Sequence, residues 1–243
     1  MIVVSSAFQL PAAYGQSYAS RLPTGERVIA LTFDDHFEPG VEKYGAREIL
    51  DILGRNGIKC TFFVTGALVA ENPDLIKEIV NRGHEIGNHT YSHAYVMPAS
   101  DTRERLTAEL AKTDSLLEAL CGASVVPFWR APYGNVNKKL IAWAEELGLA
   151  HVGWTFDTLD WEFNTSSKNY LDPPKLLARY VRFLSSDQAV GAIVLCHLET
   201  QRKKDHLFTV LQAMIEETWK RGFRFVKVSE YVTAAHHQNG PKG

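Results

Sequence analysis

The sequence predicts an α/β domain built on parallel strands. Short apolar runs alternate with amphipathic helical stretches from Arg27 onward. Each run leads into a helix rather than a hairpin turn, and strand–helix alternation of that kind implies parallel pairing. A length of 243 residues suits one large domain. A closed barrel and an open doubly wound sheet both satisfy the pattern. No G-x-G-x-x-G follows the first strand, so a dinucleotide-binding sheet loses its main support.

The elements follow in order. "RVIALTF" reads as the first strand. "YGAREILDILGRNG" carries Ile49, Leu50, Ile52 and Leu53 at helical spacing and stops at Gly57. "KCTFFVTG" is the second strand. "NPDLIKEIVNRG" has Asn72 as N-cap, Pro73 in the first turn and Gly83 beyond the end, the usual start and stop chemistry of a helix. "HEIGN" is a short strand, and "DTRERLTAELAKTDSLLEAL" a long amphipathic helix. "VVPFWR" is a strand in which Pro127 predicts an irregular or edge position, because proline cannot donate to a ladder. "NKKLIAWAEELG" is a helix and "LAHVGWTF" a strand. "PPKLLARYVRFLSS" is a helix, "GAIVLCH" a strand, "HLFTVLQAMIEETWKRG" a helix, and "FRFVKV" the seventh strand. We expect a leading arm over residues 1–26, one domain over 27–235 and a tail over 236–243.

Composition narrows the function. The chain is 45% apolar and 22% charged, which is ordinary for a globular protein. With Lys plus Arg at 26 and Asp plus Glu at 28, the net charge is -2. That excludes a basic nucleic-acid footprint and a polybasic membrane patch. No run of about 18 apolar residues is present to span a bilayer. Cys60, Cys121 and Cys196 form no CxxC and no disulfide framework. The N-terminal "MIVVSSAFQL" lacks a positively charged leader and makes a poor signal peptide.

Unusual polar residues follow the strands. "TFDDH" places Asp34 and Asp35 at the end of the first strand, and "NHTYSH" places His89 and His93 after the third. "RAPYG" supplies Arg130 and Tyr133, "DTLDW" supplies Asp157, Asp160 and Trp161, and "LCH" ends in His197. In a parallel barrel these points share the C-terminal face, where catalytic loops converge. His89, His93 and one carboxylate would make a two-histidine, one-carboxylate metal site. Zinc or Fe(II) suits such ligands.

"TFDD", "HTYSH", "RAPYG", "DTLDW" and "LCH" resemble, in order, the five motifs of the polysaccharide deacetylases (the NodB homology domain, carbohydrate esterase family 4). The resemblance covers Val28 to Val232. It implies a distorted (β/α) barrel of seven or eight strands and metal-dependent removal of N-acetyl, or sometimes O-acetyl, groups from a polysaccharide. Residue by residue, it implies Asp34 as catalytic base and Asp35, His89 and His93 as metal ligands. Arg130 resembles the residue that orients and keeps ionised the base. Tyr133 resembles the backbone N–H donor to the oxyanion. Asp160 and Trp161 resemble the carboxylate that tunes the acid and a hydrophobic wall. Leu195 and His197 resemble the acetyl-methyl pocket and the general acid. The expected cofactor is a divalent ion, Zn²⁺ first, with Co²⁺ or another divalent ion compatible. The family favours an extracellular or cell-wall setting, with the cytoplasm left open.

The preferred substrate is an N-acetylglucosamine polymer of the peptidoglycan or chitin type. The alternatives are an acetylxylan-type O-deacetylase, a hydrolase of small cyclic amides, and a carbohydrate-binding protein without catalysis. One departure keeps the small-amide reading open. The first motif usually continues with small residues, whereas here His36 and Phe37 follow. Trp161, Phe163 and Tyr170, on or beside a long loop, are candidates for stacking on sugar rings.

Overall fold

The computed structural model describes residues 18–35, 44–94 and 102–232. His36, Phe37 and the tail over 236–243 lie outside the described residues. Nine strands occur among those described: β1 (Tyr18–Ala19), β2 (Val28–Asp34), β3 (Thr61–Val64), β4 (Glu85–Asn88), β5 (Val125–Trp129), β6 (Ala150–Val152), β7 (Phe156–Asp157), β8 (Ala192–His197) and β9 (Arg224–Phe225). Every strand pair is parallel, in the order β1-β6-β5-β4-β3-β2-β8-β7, with β9 beside β2.

β6 and β7 lie towards opposite ends of that order, yet only Gly153–Thr155 separates them. The chain from Val152 to Phe156 spans at most about 15 Å. The sheet must therefore curl until its ends meet, which gives the distorted (β/α) barrel expected. The arm reinforces this seam. Tyr18 and Ala19 pair with β6, while Leu22 N–H donates to Gly191 O at 2.7 Å just before β8.

Period-two alternation along β2 sorts the two cores. Val28 and Ala30 join Phe63, Phe128, Val152 and Ile193 inside the barrel. Ile29, Leu31 and Phe33 face the helices with Ile49, Leu53, Ile76 and Leu211. The helices are α1 (Ala46–Arg55), α2 (Gly66–Glu71), α3 (Pro73–Asn81), α4 (Arg103–Cys121), α5 (Lys138–Glu145), α6 (Pro173–Leu184) and α7 (Phe208–Lys220). Asn72 caps α3 as predicted, accepting from Leu75 N–H at 3.3 Å. No helix among the described residues is long and apolar enough to cross a membrane.

Three features differ from the sequence reading. The run "LAHVGWTF" divides into β6 and β7. The two-residue β1 and the six-residue α2 were not predicted. Pro127 lies in an interior strand, and of the two positions expected for it the irregular one holds, since the β4–β5 register shifts between Ile86 and Asn88. At that irregularity a Cβ on Gly87 would stand 2.9 Å from Phe128 O, so the close approach needs a glycine.

Candidate active site

Alternation also delivers the site. Asp34 continues the inward phase of Val28 and Ala30, and His197 continues that of Ile193 and Leu195. Asp34, Leu195 and His197 line a cleft of about 490 Å³ with His89, His93, Tyr133 and Trp161. Seven of the ten candidate side chains therefore meet at one opening. Arg130 and Asp160, both fully buried, stand behind it. The tenth, Asp35, does not line it.

Arg130 crosses the barrel interior. Its Nη1 donates to Asp34 Oδ1 at 2.6 Å and to Thr32 Oγ1 at 2.9 Å. Nε and Nη2 donate to Val152 O and Gly153 O, and the Phe63 ring lies 4.1 Å from the guanidinium carbon. Burial pushes the Asp34 carboxyl above its ordinary range, and the Arg130 charge offsets part of that rise. The second oxygen, Oδ2, stands 3.7 Å from His89 Nε2.

On the neighbouring strand β8, where His197 is the register partner of Asp34, Asp160 holds His197 twice. Its Oδ1 lies 2.9 Å from His197 Nδ1, and its Oδ2 accepts from the His197 backbone N–H at 3.0 Å. Thr158 Oγ1 donates to Oδ1 at 2.7 Å. Burial works to raise the Asp160 carboxyl, but the His197 charge and these hydrogen bonds bring it below its ordinary value. Burial disfavours protonated His197, yet Asp160 outweighs it and the imidazole is raised. Asp157 closes the strand end. Its Oδ1 accepts from Leu159 N–H at 2.7 Å, and Trp161 Nε1 donates to Oδ2 at 3.3 Å.

The histidines sit on a tightly held loop. The ring centroids of His89 and His93 are 4.9 Å apart, and Tyr133 lies 4.9 Å from His93. Thr90 and His93 have positive φ, 64° and 53°, a conformation that persists only where the surroundings enforce it. Glu109 on α4 supplies part of that enforcement, accepting from Tyr91 N–H at 3.0 Å, Ser92 N–H at 2.8 Å and Ser92 Oγ at 3.0 Å. α2 supplies more, since Gly66 N–H donates to Thr90 O at 3.0 Å. A Cβ on Gly66 would come within 2.4 Å of Tyr91, so this loop packs only on a glycine. Sequence reasoning missed Glu109, because a lone glutamate on an amphipathic helix carries no signal. It missed the cleft residues Trp154 and Gln201 for similar reasons, Trp154 being hidden in an apolar run.

The donor set suits a divalent ion in part. Arg130 O can only accept, so His89 Nδ1, 2.9 Å away, carries the ring proton. Nε2 then presents its lone pair, the tautomer a metal ligand needs. Asp35 is held differently. It lies one residue beyond the end of β2, where its N–H donates to Phe63 O at 3.0 Å. There Thr65 Oγ1 donates to Asp35 Oδ2 at 2.9 Å. Among the described residues no three His, Cys, Asp or Glu side chains are gathered into a metal-ligand group. Tyr170 also departs from expectation. It does not line the cleft, and its hydroxyl donates to Asp205 Oδ2 at 2.6 Å.

Comparison with known proteins gives this geometry a context. A family model described as polysaccharide deacetylase matches residues 21–152. A peptidoglycan-N-acetylglucosamine deacetylase of Bacillus cereus is 36% identical over 146 residues, covering 60% of this chain and 50% of the relative. The chain thus spans about half the length of that protein. A second Bacillus cereus protein of the same name is 29% identical over 215 residues, covering 88% of this chain and 92% of the relative. Among solved structures, a peptidoglycan N-acetylglucosamine deacetylase in complex with 4-naphthalen-1-yl-N-oxidanyl-benzamide superposes with a TM-score of 0.77 at 26% identity. The match covers 93% of this chain and 97% of that one.

Proposed function

The chain belongs to the polysaccharide deacetylase family, and from that premise we propose that it hydrolyses N-acetyl groups of N-acetylglucosamine-containing polymers of the peptidoglycan or chitin type. We place the activity on residues 27–235, with the described part of the arm completing the barrel. The observation that carries the reading is the placement of two supported groups side by side at one cleft, on the neighbouring strands β2 and β8. Asp34 stands on Arg130 at 2.6 Å, and His197 stands on Asp160 at 2.9 Å.

An amide is a poor electrophile and its amine a poor leaving group. A divalent ion held by His89, His93 and Asp35, with Zn²⁺ the first candidate, would polarise the acetyl carbonyl and lower the pKa of water. Asp34 takes a proton from the attacking water through the oxygen that Arg130 leaves to the cleft. Tyr133, on a turn of positive φ at the cleft, supplies a backbone N–H to the developing oxyanion. Leu195 gives the acetyl methyl an apolar surface. His197, kept protonated by Asp160, donates its proton to the departing nitrogen as the carbon–nitrogen bond breaks. Acetate and the free amine leave.

The test is acetate release from chitooligosaccharides, peptidoglycan and acetylxylan, each with chelator and then with Zn²⁺ or Co²⁺ restored. Release from the first two that is lost with chelator and recovered with metal is the expected result. Release from acetylxylan alone replaces the reading with O-deacetylation. Rapid hydrolysis of a cyclic imide with no oligomer turnover replaces it with a small-amide hydrolase. Glycan binding without any turnover leaves a carbohydrate-binding protein.

A further inference from the structure

Arg202 follows the cleft residue Gln201 on the segment after β8, and it is 2% exposed. In the sequence it sits in "QRKKD", a run that reads as solvated charge. Its guanidinium instead holds a loop. Nε donates to Glu162 O at 2.9 Å, Nη2 to Leu159 O at 3.0 Å and Nη1 to Leu171 O at 3.0 Å. Nη1 also reaches Asp205 O at 2.9 Å. The guanidinium carbon lies 4.7 Å from the centre of the Tyr170 ring, whose hydroxyl is tied to Asp205.

One side chain thus grips the segment between β7 and α6 near its start, at Leu159 and Glu162, and near its end, at Leu171. Two of its four carbonyls belong to residues with positive φ, Leu159 at 62° and Asp205 at 56°. Such conformations persist only when their surroundings enforce them. A buried guanidinium is unfavourable unless its donors are satisfied. Here they are satisfied by backbone carbonyls approaching from several directions, which the planar fork of arginine suits and a lysine does not.

The segment carries two kinds of residue. Asp160 is fixed independently of Arg202 by its bonds to His197 and Thr158. Trp161, whose Nε1 also bonds Asp157 Oδ2, and Phe163 line the cleft at 37% and 55% exposure. Their position depends on the backbone that Arg202 holds at Leu159 and Glu162, on either side of Trp161.

We infer that Arg202 is a positioning residue for extended glycans. It holds the Trp161–Phe163 wall where sugar units beyond the reacting one lie, and it leaves the chemistry at Asp34 and His197 untouched. The inference rests on the deacetylase reading above.

The test compares Arg202→Met and Arg202→Lys with the parent on N-acetylchitotetraose and on 4-nitrophenyl acetate. In Arg202→Met, KM for the tetramer should rise about tenfold with kcat within about twofold, the signature of lost binding rather than lost chemistry. Turnover of the aryl acetate should not change. Arg202→Lys, with three donors on one nitrogen, should recover part of the affinity. Hydrogen exchange should quicken over residues 159–171 and stay constant in the barrel strands. If Arg202→Met does not fold, Arg202→Lys carries the same comparison with a smaller shift. Parallel loss on both substrates overturns the inference, as does an unchanged KM or an unchanged loop. The parent protein separates the two levels. No acetate from the tetramer in the parent sinks the deacetylase reading, whereas parent turnover with an unchanged KM in the variants sinks the clamp alone.

Discussion

Asp34 and Glu85 are both 4% exposed, and both sit at strand ends of the same barrel. Glu85 opens β4 at the N-terminal face, and both of its carboxylate oxygens are engaged by the protein. Its Oε1 accepts from Thr61 Oγ1 at 2.6 Å and Ser229 N–H at 3.1 Å. Its Oε2 accepts from Ser229 Oγ and lies 3.9 Å from Lys227 Nζ. The cluster ties the segment after β9 to the barrel floor. Asp34 closes β2 at the other face. One oxygen belongs to Arg130, and the other borders the cleft beside His89. Burial alone therefore does not mark a functional carboxylate. A buried carboxylate with bonding capacity turned towards a cavity does. The division agrees with the general rule that the C-terminal face of a parallel barrel carries chemistry and the N-terminal face carries stability.

The largest contrast comes from removing each carboxylate. Asp34→Asn keeps an acceptor for Arg130 and should stay folded, while acetate release falls by roughly a hundredfold or more. Glu85→Ala leaves the Thr61 and Ser229 donors buried without their partner. It should lose about 2–4 kcal/mol in urea denaturation, with kcat of the folded fraction unchanged. A Glu85 variant that folds normally and loses turnover would erase the distinction between the two faces.

The next contrast concerns protons. In the proposed reaction His197 is the acid, so turnover should decline as pH rises through its raised pKa. Asp160→Asn removes the group that raises it, and the alkaline limb of the pH–rate profile should move to lower pH. His197→Ala should lose about a hundredfold on N-acetyl substrates and much less on aryl acetates, whose leaving group needs no proton.

At the opposite face, burial and the nearby cations Lys59, Arg82 and Lys227 lower His84 to about 4. It accepts from Cys60 N–H at 3.1 Å as a neutral ring. Between its unfolded pKa near 6.5 and about 4, the unfolded chain binds the extra proton, so stability falls as pH falls through that window. His84→Asn keeps the acceptor and should flatten this acid dependence by on the order of 2 kcal/mol, read from denaturation midpoints between the two pH values. An unchanged acid dependence would assign it to other groups.

The smallest effect belongs to the cleft rim. Phe163→Ala should raise KM for a tetramer by about threefold without moving the melting temperature, because the ring is 55% exposed. Equal effects on tetramer and aryl acetate would remove Phe163 from substrate contact.

Much of the C-terminal face was legible because each strand delivers its last inward residue to one point. Asp34, His89, His93, Tyr133 and His197 stood out as polar residues following the strands, whereas Leu195 came only with the resemblance. The floor was illegible. Glu85 reads as a surface charge at a strand start, and its partner Ser229 lies far along the chain. The same holds for Glu109 and Arg202, whose roles depend on backbone groups brought near by folding. Periodicity also ran through the seam. "LAHVGWTF" is apolar enough to pass for one strand, and only the closure of the barrel makes Gly153–Thr155 leave one end of the sheet for the other. Asp35 was paired with the histidines through the resemblance, and its buried carboxylate accepts from Thr65 Oγ1, a partner the sequence did not suggest.

The most direct test is the metal content and acetate release of four variants, Asp34→Asn, Asp35→Asn, His89→Ala and His93→Ala, measured together. The account predicts about one divalent ion per chain in the parent and in Asp34→Asn, with activity only in the parent. It predicts loss of the ion in His89→Ala and His93→Ala. Full retention of metal in both histidine variants would contradict it. So would an Asp34→Asn protein that loses its ion while Asp35→Asn keeps one, since the two aspartates would then have exchanged roles.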